Sequence, residues 1–371
     1  MPISLDFLHC FGYNMCRLRR RAMHKFDYSF LKNGLISAKT LNMATSIYSL
    51  KTMAKVRKAD HLKIFTELEK IAKIQSVKNS NAIEGIVTSD ERIKAIVTQS
   101  SAPLNHDEAE IAGYRDALNE IHTNNQYIGF NESDILHLHE ILLSATGYEY
   151  GGKYKDFDNA IIEIDSQGNR NIRFAPTPAS ETKHAMEQLV LAYMSAANDS
   201  EINQLLLIPC VILDFLCIHP FRDGNGRMSR LLSLLLLYKN GFDAGKYVSF
   251  EEQINKYKGF YYEALRQSSI NWHENNNDYS PFIENFLSTL YMCYKELDKR
   301  FAVVNGGKVS KSARIEATVL NSLAPISKKE ICEILPDISP TTIEAVLGKM
   351  VRSGQIVKIG SARNIKYLRN K

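Results

Sequence analysis

Cysteine is sparse and scattered in this 371-residue chain: there are six, Cys10, Cys16, Cys210, Cys217, Cys293 and Cys332, with no CxxC pair and no metal-ligand spacing. That excludes a disulfide scaffold and a thiolate metal site. Cys210 and Cys217 stand among apolar neighbours and read as small buried hydrophobes of a reduced, cytoplasmic protein. Proline (10) and glycine (19) are few and 44% of residues are hydrophobic, which excludes disorder on a large scale. No apolar run suits a membrane span. The most apolar stretch, residues 205–218, holds Pro209 and Asp214 and reads as a buried core helix. A strong excess of one charge is also missing, the net charge being +5. The imbalance is local: residues 306–371 carry 12 Lys and Arg against 5 Asp and Glu, and the rest is slightly acidic. Such a basic tail is either a unit for an acidic partner or a solvated face. The first 23 residues are apolar first and basic afterwards, the reverse of a secretory signal, and too short and polar to span a membrane. An upstream start preceding a natural Met23 is the preferred reading.

What is there is helical periodicity. Ile64, Phe65, Leu68, Ile71 and Ala72 form one apolar stripe on a helix from about 61 to 84, with Gly85 as its stop. Thr88 with Glu91 reads as a capping box opening another helix. Further helices are expected over 107–122, 131–143, 180–197, 201–218, 226–239, 254–269 and 280–297. Between them, residues 160–164 and 171–174 flank a polar, Gly-containing turn and predict a β-hairpin. A lone hairpin is barely stable by itself, so it must lie on the helical body. Its exposed edge suits docking of an extended peptide, although a purely structural hairpin satisfies the same pattern.

Val303-Val304-Asn305-Gly306-Gly307 marks a linker. Three short helices follow, at about 312–322, 327–335 and 339–353, with Ser327 and Ser339 as N-caps, and then two strands around 355–361 and 365–368. Helix, turn, helix, wing is the winged-helix pattern. The candidate recognition helix has Glu344 in its middle, and Lys349 and Arg352 only late. Recognition helices bring polar or basic side chains to bases early, so DNA binding and a protein-contact or dimer role both stand.

The sharpest feature is His219-Pro220-Phe221-Arg222-Asp223-Gly224-Asn225-Gly226-Arg227, with Arg230 one helical turn on. Pro220 ends the apolar helix, and a new helix starts near Gly226. The small-residue loop between them directs backbone amides into a cavity at a helix N-terminus, an arrangement that binds phosphate. Arg227 and Arg230 share a helical face and suit bidentate phosphate contacts. Asp223 offers a hard oxygen for Mg²⁺, and His219 has the chemistry of a general base. A lone histidine is more often a satisfied core residue; eight matched neighbours reverse that reading.

The constellation resembles the Fic motif HPFx(D/E)GN(G/K)R at every fixed position. The resemblance spans roughly residues 60–300 and, more loosely, the tail. It implies an all-α Fic helical bundle with a β-hairpin flap, plus a C-terminal winged-helix domain. The implied divisions are 1–59 for an N-terminal extension and helices, 60–300 for the Fic domain and 301–371 for the winged helix. Within the Fic domain fall an inhibitory helix at about 62–85, a flap at about 151–175 and a catalytic loop at 219–230.

The resemblance also implies a chemistry. ATP lies with its phosphates on the amides of Gly224, Asn225 and Gly226, with Mg²⁺ on Asp223 and the arginines on the outer phosphates. His219 takes the proton of a Ser, Thr or Tyr hydroxyl, and AMP is transferred to the target protein. Gly226 separates the chain from relatives with Lys there, which transfer phosphate. Ser80-Asn81-Ala82-Ile83-Glu84-Gly85 fits the family's inhibitory pattern (S/T)xxxE(G/N), in which Glu84 would pair with Arg230; a plain surface helix is the bland alternative. Tyr261 and Tyr262 fall where relatives line the adenine site, though aromatics at such spacing are more often core. The implied partners are ATP, a protein docked on the flap, the chain itself as substrate and a second copy, with no membrane. Competing readings are a Fic-fold transferase of another nucleotide or of phosphate, and a DNA-binding regulator whose Fic domain senses nucleotide.

Overall fold

Polar caps set many of the helix starts. Ser37, Ser89, Asn105, Asn131, Asn203 and Ser249 each accept a backbone N–H of the first turn, and each such cap is worth about 1 kcal/mol. The computed structural model describes residues 24–33, 37–164, 170–304, 310–320, 322, 325–360 and 365–370. Cys10, Cys16, Met23, the turn at 165–169 and the Asn-Gly-Gly of the linker lie outside them.

In chain order the elements are α1 (Phe30–Asn33), α2 (Ala38–Asp60), α3 (Leu62–Ile83), α4 (Asp90–Gln99), α5 (His106–Asn124), α6 (Glu132–Leu143), β1 (Ile161–Ile164), β2 (Arg170–Phe174), α7 (Ala179–Ala197), α8 (Gln204–Ile218) and α9 (Asn225–Lys239). After a single 3₁₀ turn come α10 (Phe250–Lys256), α11 (Lys258–Ser268), α12 (Ser280–Val304), α13 (Lys311–Leu320), β3 (Ile326–Ser327), α14 (Lys328–Ile334), α15 (Pro340–Arg352), β4 (Ile356–Ile359) and β5 (Lys366–Arg369). The fold is the expected helical bundle with a hairpin.

Helix α8 is apolar all round, and every residue of it after Gln204 is buried, so it takes the centre. It packs against α7, α9 and α12, while α3 lies across α5 and α10. Among the described residues, no helix is long and apolar enough to cross a membrane.

The hairpin is antiparallel, with Ile162 opposite Ile172 and an irregularity next to Ile161. Phe174 anchors it by stacking on His273, ring centres 5.4 Å apart. In the tail, α13, α14 and α15 enclose a second apolar cluster around Ile315, Ile331, Ile343 and Leu347. A sheet ordered β3-β5-β4 closes that cluster.

Several local expectations change. The capping oxygen of α4 is that of Ser89, and Thr88 instead donates to the buried Glu108 across 3.0 Å. The helix expected at 254–269 is two, α10 and α11, divided at Tyr257. Helix α12 runs on to Val304 because its apolar face continues through Phe301 into the core. The short strand β3 carries no pattern of its own and forms by pairing with β5.

Candidate active site

The loop between α8 and α9 is shaped by three backbone constraints. His219 caps α8 in the left-handed conformation, φ 52° and ψ 61°, its N–H still donating to Phe215 O across 2.9 Å. That conformation costs a non-glycine residue roughly 1–2 kcal/mol, so the surroundings must hold it. Asn225 staples the loop, accepting the Phe221 N–H at 2.9 Å and donating to Phe221 O at 2.8 Å. Gly224 has φ +80°, and a Cβ there would come within 3.1 Å of Leu142 Cδ2. Glycine meets both demands.

His219 stands 8% exposed. Its Nδ1 lies 3.3 Å from Leu216 O, a contact only the protonated nitrogen makes favourably, which leaves the Nε2 lone pair as the basic site. Burial, with the positive charge of Lys155 second, pushes the imidazole down to about 3, so it is neutral near pH 7.

A second histidine supports the turn from α6. The Gly152 N–H donates to His139 Nδ1 at 3.1 Å, so Nε2 carries the hydrogen and donates to Asp223 O at 3.1 Å. The ring stacks on Phe221 at 3.7 Å, and burial holds His139 near 4, hence neutral. The Asp223 carboxylate accepts from Gly224 N at 2.6 Å and pairs with Arg227 at 3.4 Å.

The two arginines of α9 part company. Arg227, 1% exposed, meets Glu110 of α5 at 2.5 Å as an ion pair whose atoms are not aligned for a hydrogen bond. Arg230 turns to α3: Nε donates to Ser80 Oγ at 2.8 Å, and one terminal nitrogen donates to Ser80 O at 2.9 Å and to Glu84 Oε1 at 2.8 Å. Glu84 thereby lies over the turn, so close that a Cβ on Gly226 would meet its Oε1 at 2.3 Å. Helix α3 ends there as Gly85 takes φ +86° and Ile86 N returns to Asn81 O at 3.1 Å. Lys258 Nζ, 2.6 Å from Ile83 O, ties this end to α11.

One cleft gathers these groups. Glu84, Glu110, His219, residues 223–227 and Arg230 line it together with Tyr261 and Tyr262 of α11 and Ile161, Ile162, Arg173 and Phe174 of the hairpin. Every sequence-derived site residue except Ser80 therefore faces the cleft, and Ser80 is buried directly behind Arg230. Sequence reasoning missed Glu110, His139, Lys155 and Asn159. None belongs to a motif, and only the packing of α5, α6 and the 154–159 segment brings them to the loop.

Residues 129–237 match the model of the Fic/DOC family, so this chain carries a Fic domain. The chain is 28% identical over 224 residues to a protein described as "Protein adenylyltransferase Fic" from Nematostella vectensis, covering 58% of this chain and 46% of that protein. It is 35% identical over 81 residues to a Fido domain-containing protein of Dictyostelium discoideum, covering 22% of this chain and 52% of that one. It thus spans about half the length of the curated relatives it matches. Among solved structures, a Fic family protein from Desulfovibrio desulfuricans superposes with a TM-score of 0.57 at 20% identity, covering 90% of this chain and 97% of that one. Fic-1 from C. elegans gives 0.53 at 18%, covering 72% and 74%. These two likenesses concern the fold.

Proposed function

We propose that the chain is a protein adenylyltransferase, moving AMP from ATP to a Ser, Thr or Tyr hydroxyl of a target protein, held in check by Glu84. The observation that carries this is the Arg230–Glu84–Ser80 arrangement over an amide-lined turn beside a neutral histidine. A carboxylate on that turn takes the place and the charge partner of a phosphate, which is how an inhibitory residue competes with nucleotide. The name of the Nematostella relative supports the same chemistry.

In this reading the phosphates lie on the amides of Gly224, Asn225 and Gly226 at the N-terminus of α9, with Arg227 and Arg230 on the outer ones. His219 Nε2 takes the hydroxyl proton while the oxygen forms a bond to the α-phosphorus. The bond from the α-phosphorus to the bridging oxygen breaks, and pyrophosphate leaves with that electron pair. Tyr261 and Tyr262, both buried in the cleft wall, receive the adenine. The flap edge receives the target, or a segment of the chain itself, by strand addition.

Among the described residues, no group of three or more His, Cys, Asp and Glu gathers as a complete metal cage. Asp223 lines the cleft with Glu84 and Glu110, which are engaged with Arg230 and Arg227, and one such carboxylate suits Mg²⁺, which is commonly held by one or two carboxylates and the substrate's phosphates. Asp223 would hold it, and the ion, when bound, would supply neutralisation of phosphate charge. We read the tail as a winged-helix module for a partner.

The test is incubation of Glu84→Gly with ATP, Mg²⁺ and a cell lysate. AMP adducts, including self-modification, rise at least about tenfold over the parent chain, the scale expected when one charge-assisted contact is removed, and adding His219→Ala abolishes them. No adduct on any protein by mass spectrometry would sink the proposal. Labelled UTP and GTP, and ATP labelled at the γ position, run alongside separate other transfers.

A further inference from the structure

Something must hold His219 in its left-handed conformation, and the segment between α6 and β1 does so with a single lysine. The Lys155 N–H donates to Pro220 O at 2.9 Å, and its Nζ donates to Ile218 O at 3.1 Å. One residue thus grips the carbonyls on both sides of the histidine. Asn159 completes the grip, accepting from Lys155 Nζ at 2.8 Å while its Nδ2 donates to Phe221 O at 3.2 Å.

Lys155 is 3% exposed, and no carboxylate forms an ion pair with it among the described residues. A buried ammonium without a counter-ion is costly, and a packed apolar residue would fill the space more cheaply. An acidic influence reaches it from Asp158, whose own carboxylate is engaged at the start of α7, accepting Ala179 N at 2.7 Å. Burial brings the amine down to about 7. What the lysine adds is a donor rigidly aimed at the carbonyl preceding His219.

We infer that Lys155 is a positioning residue for the transfer reaction, clamping residues 218–221 so that His219 Nε2 points at the incoming hydroxyl. The inference rests on the adenylyl-transfer reading above. It extends that reading to a residue outside the loop that touches neither nucleotide phosphates nor target. Misplacing a reacting group by about 1 Å costs on the order of 100-fold, whereas phosphate binding depends on amides and arginines that Lys155 does not contact.

The test uses the full-length chain carrying Glu84→Gly, whose AMP incorporation first establishes the parent reading. Adding Lys155→Met lowers kcat by about 30-fold, within the range such misplacement gives. KM and directly measured Kd for ATP stay within about twofold. Lys155→Arg, which keeps cationic donors at that place, recovers part of kcat. Should Lys155→Met fail to fold, Asn159→Ala carries the same expected split. Equal kcat in the Met variant overturns the inference, as does a parallel loss of ATP affinity and turnover that Arg does not recover. Absence of AMP transfer in Glu84→Gly itself points instead at the parent reading.

Discussion

Ser80 shares Arg230 with Glu84, through both its hydroxyl and its carbonyl. Ser80→Ala removes the hydroxyl bond and keeps the carbonyl bond. A hydrogen bond to a charged group is worth about 1.5–3 kcal/mol, part of which water and the remaining contact restore. Basal AMP incorporation should therefore rise several-fold in Ser80→Ala and stay below that of Glu84→Gly. The two rates, measured by labelled ATP at equal protein concentration, check the order; a Ser80→Ala rate equal to the parent's would mean the serine does not contribute. Residues such as Ser80 and Glu84 were legible in the sequence because they are four apart on a helix and so share a face. Glu110, paired with Arg227, was not: nothing in the order of residues says that α5 will cross α9.

At the scale of elements, the central helix α8 carries one buried charge-bearing group, Asp214. It accepts from Tyr28 at 2.7 Å, Trp272 at 2.7 Å and Tyr279 at 2.9 Å, tying the N-terminal segment and the α11–α12 connection to the core. Burial raises this carboxyl to about 7, against which the three donors act only partly. A raised folded-state value means that stability is fully present below the ordinary carboxyl range and is lost as pH rises toward 7. Asp214→Asn removes that loss. Its stability deficit relative to the parent should shrink by a few kcal/mol at most between pH 4 and pH 7, since a tenfold difference in proton affinity between folded and unfolded chain is worth about 1.4 kcal/mol. His24, 3.8 Å from Asp214 and lowered by burial to about 4, acts in the opposite direction in both proteins. Thermal unfolding of the two proteins across that range decides, and parallel curves would contradict the assignment. From α3 onward the existence of the helices was readable from apolar periodicity, whereas α2, which packs along α12, the short strand β3, the break at Tyr257 and the added length of α12 depended on what those segments pack against.

For the whole molecule, the question is what the basic tail meets. Its capping box at Ser327 and Glu330 and its buried Arg314, bound to Asp337 at 2.7 and 2.8 Å, make it a well-specified unit. Glu344, exposed in the middle of α15, is engaged with Lys328, and Lys349 and Arg352 come only in the last turn. Charge placed so late and partly neutralised favours a protein contact over base reading. The full chain is expected to leave duplex DNA at physiological salt; sequence-selective retention under those conditions would reverse this view. Ile64 of α3 packs against both the main core and the tail's cluster, so the helix that ends at Glu84 touches the tail at its other end.

The sequence by itself determined which chemical groups the loop brings together. Glycine, histidine, aspartate and arginine at those spacings have few other uses, and helix periodicity then sets which of them share a face. It also determined the helical class and the hairpin, since periods of 3.6 and 2 are local properties of the chain. The tertiary structure alone decided that Glu84 reaches Arg230 across a separation of 146 residues. It alone decided that Arg227 answers to Glu110, and that His139, Lys155 and Asn159 hold the loop from outside. Those contacts depend on how helices cross and where a connecting segment is pressed against them, and burial then decides which protonation states survive.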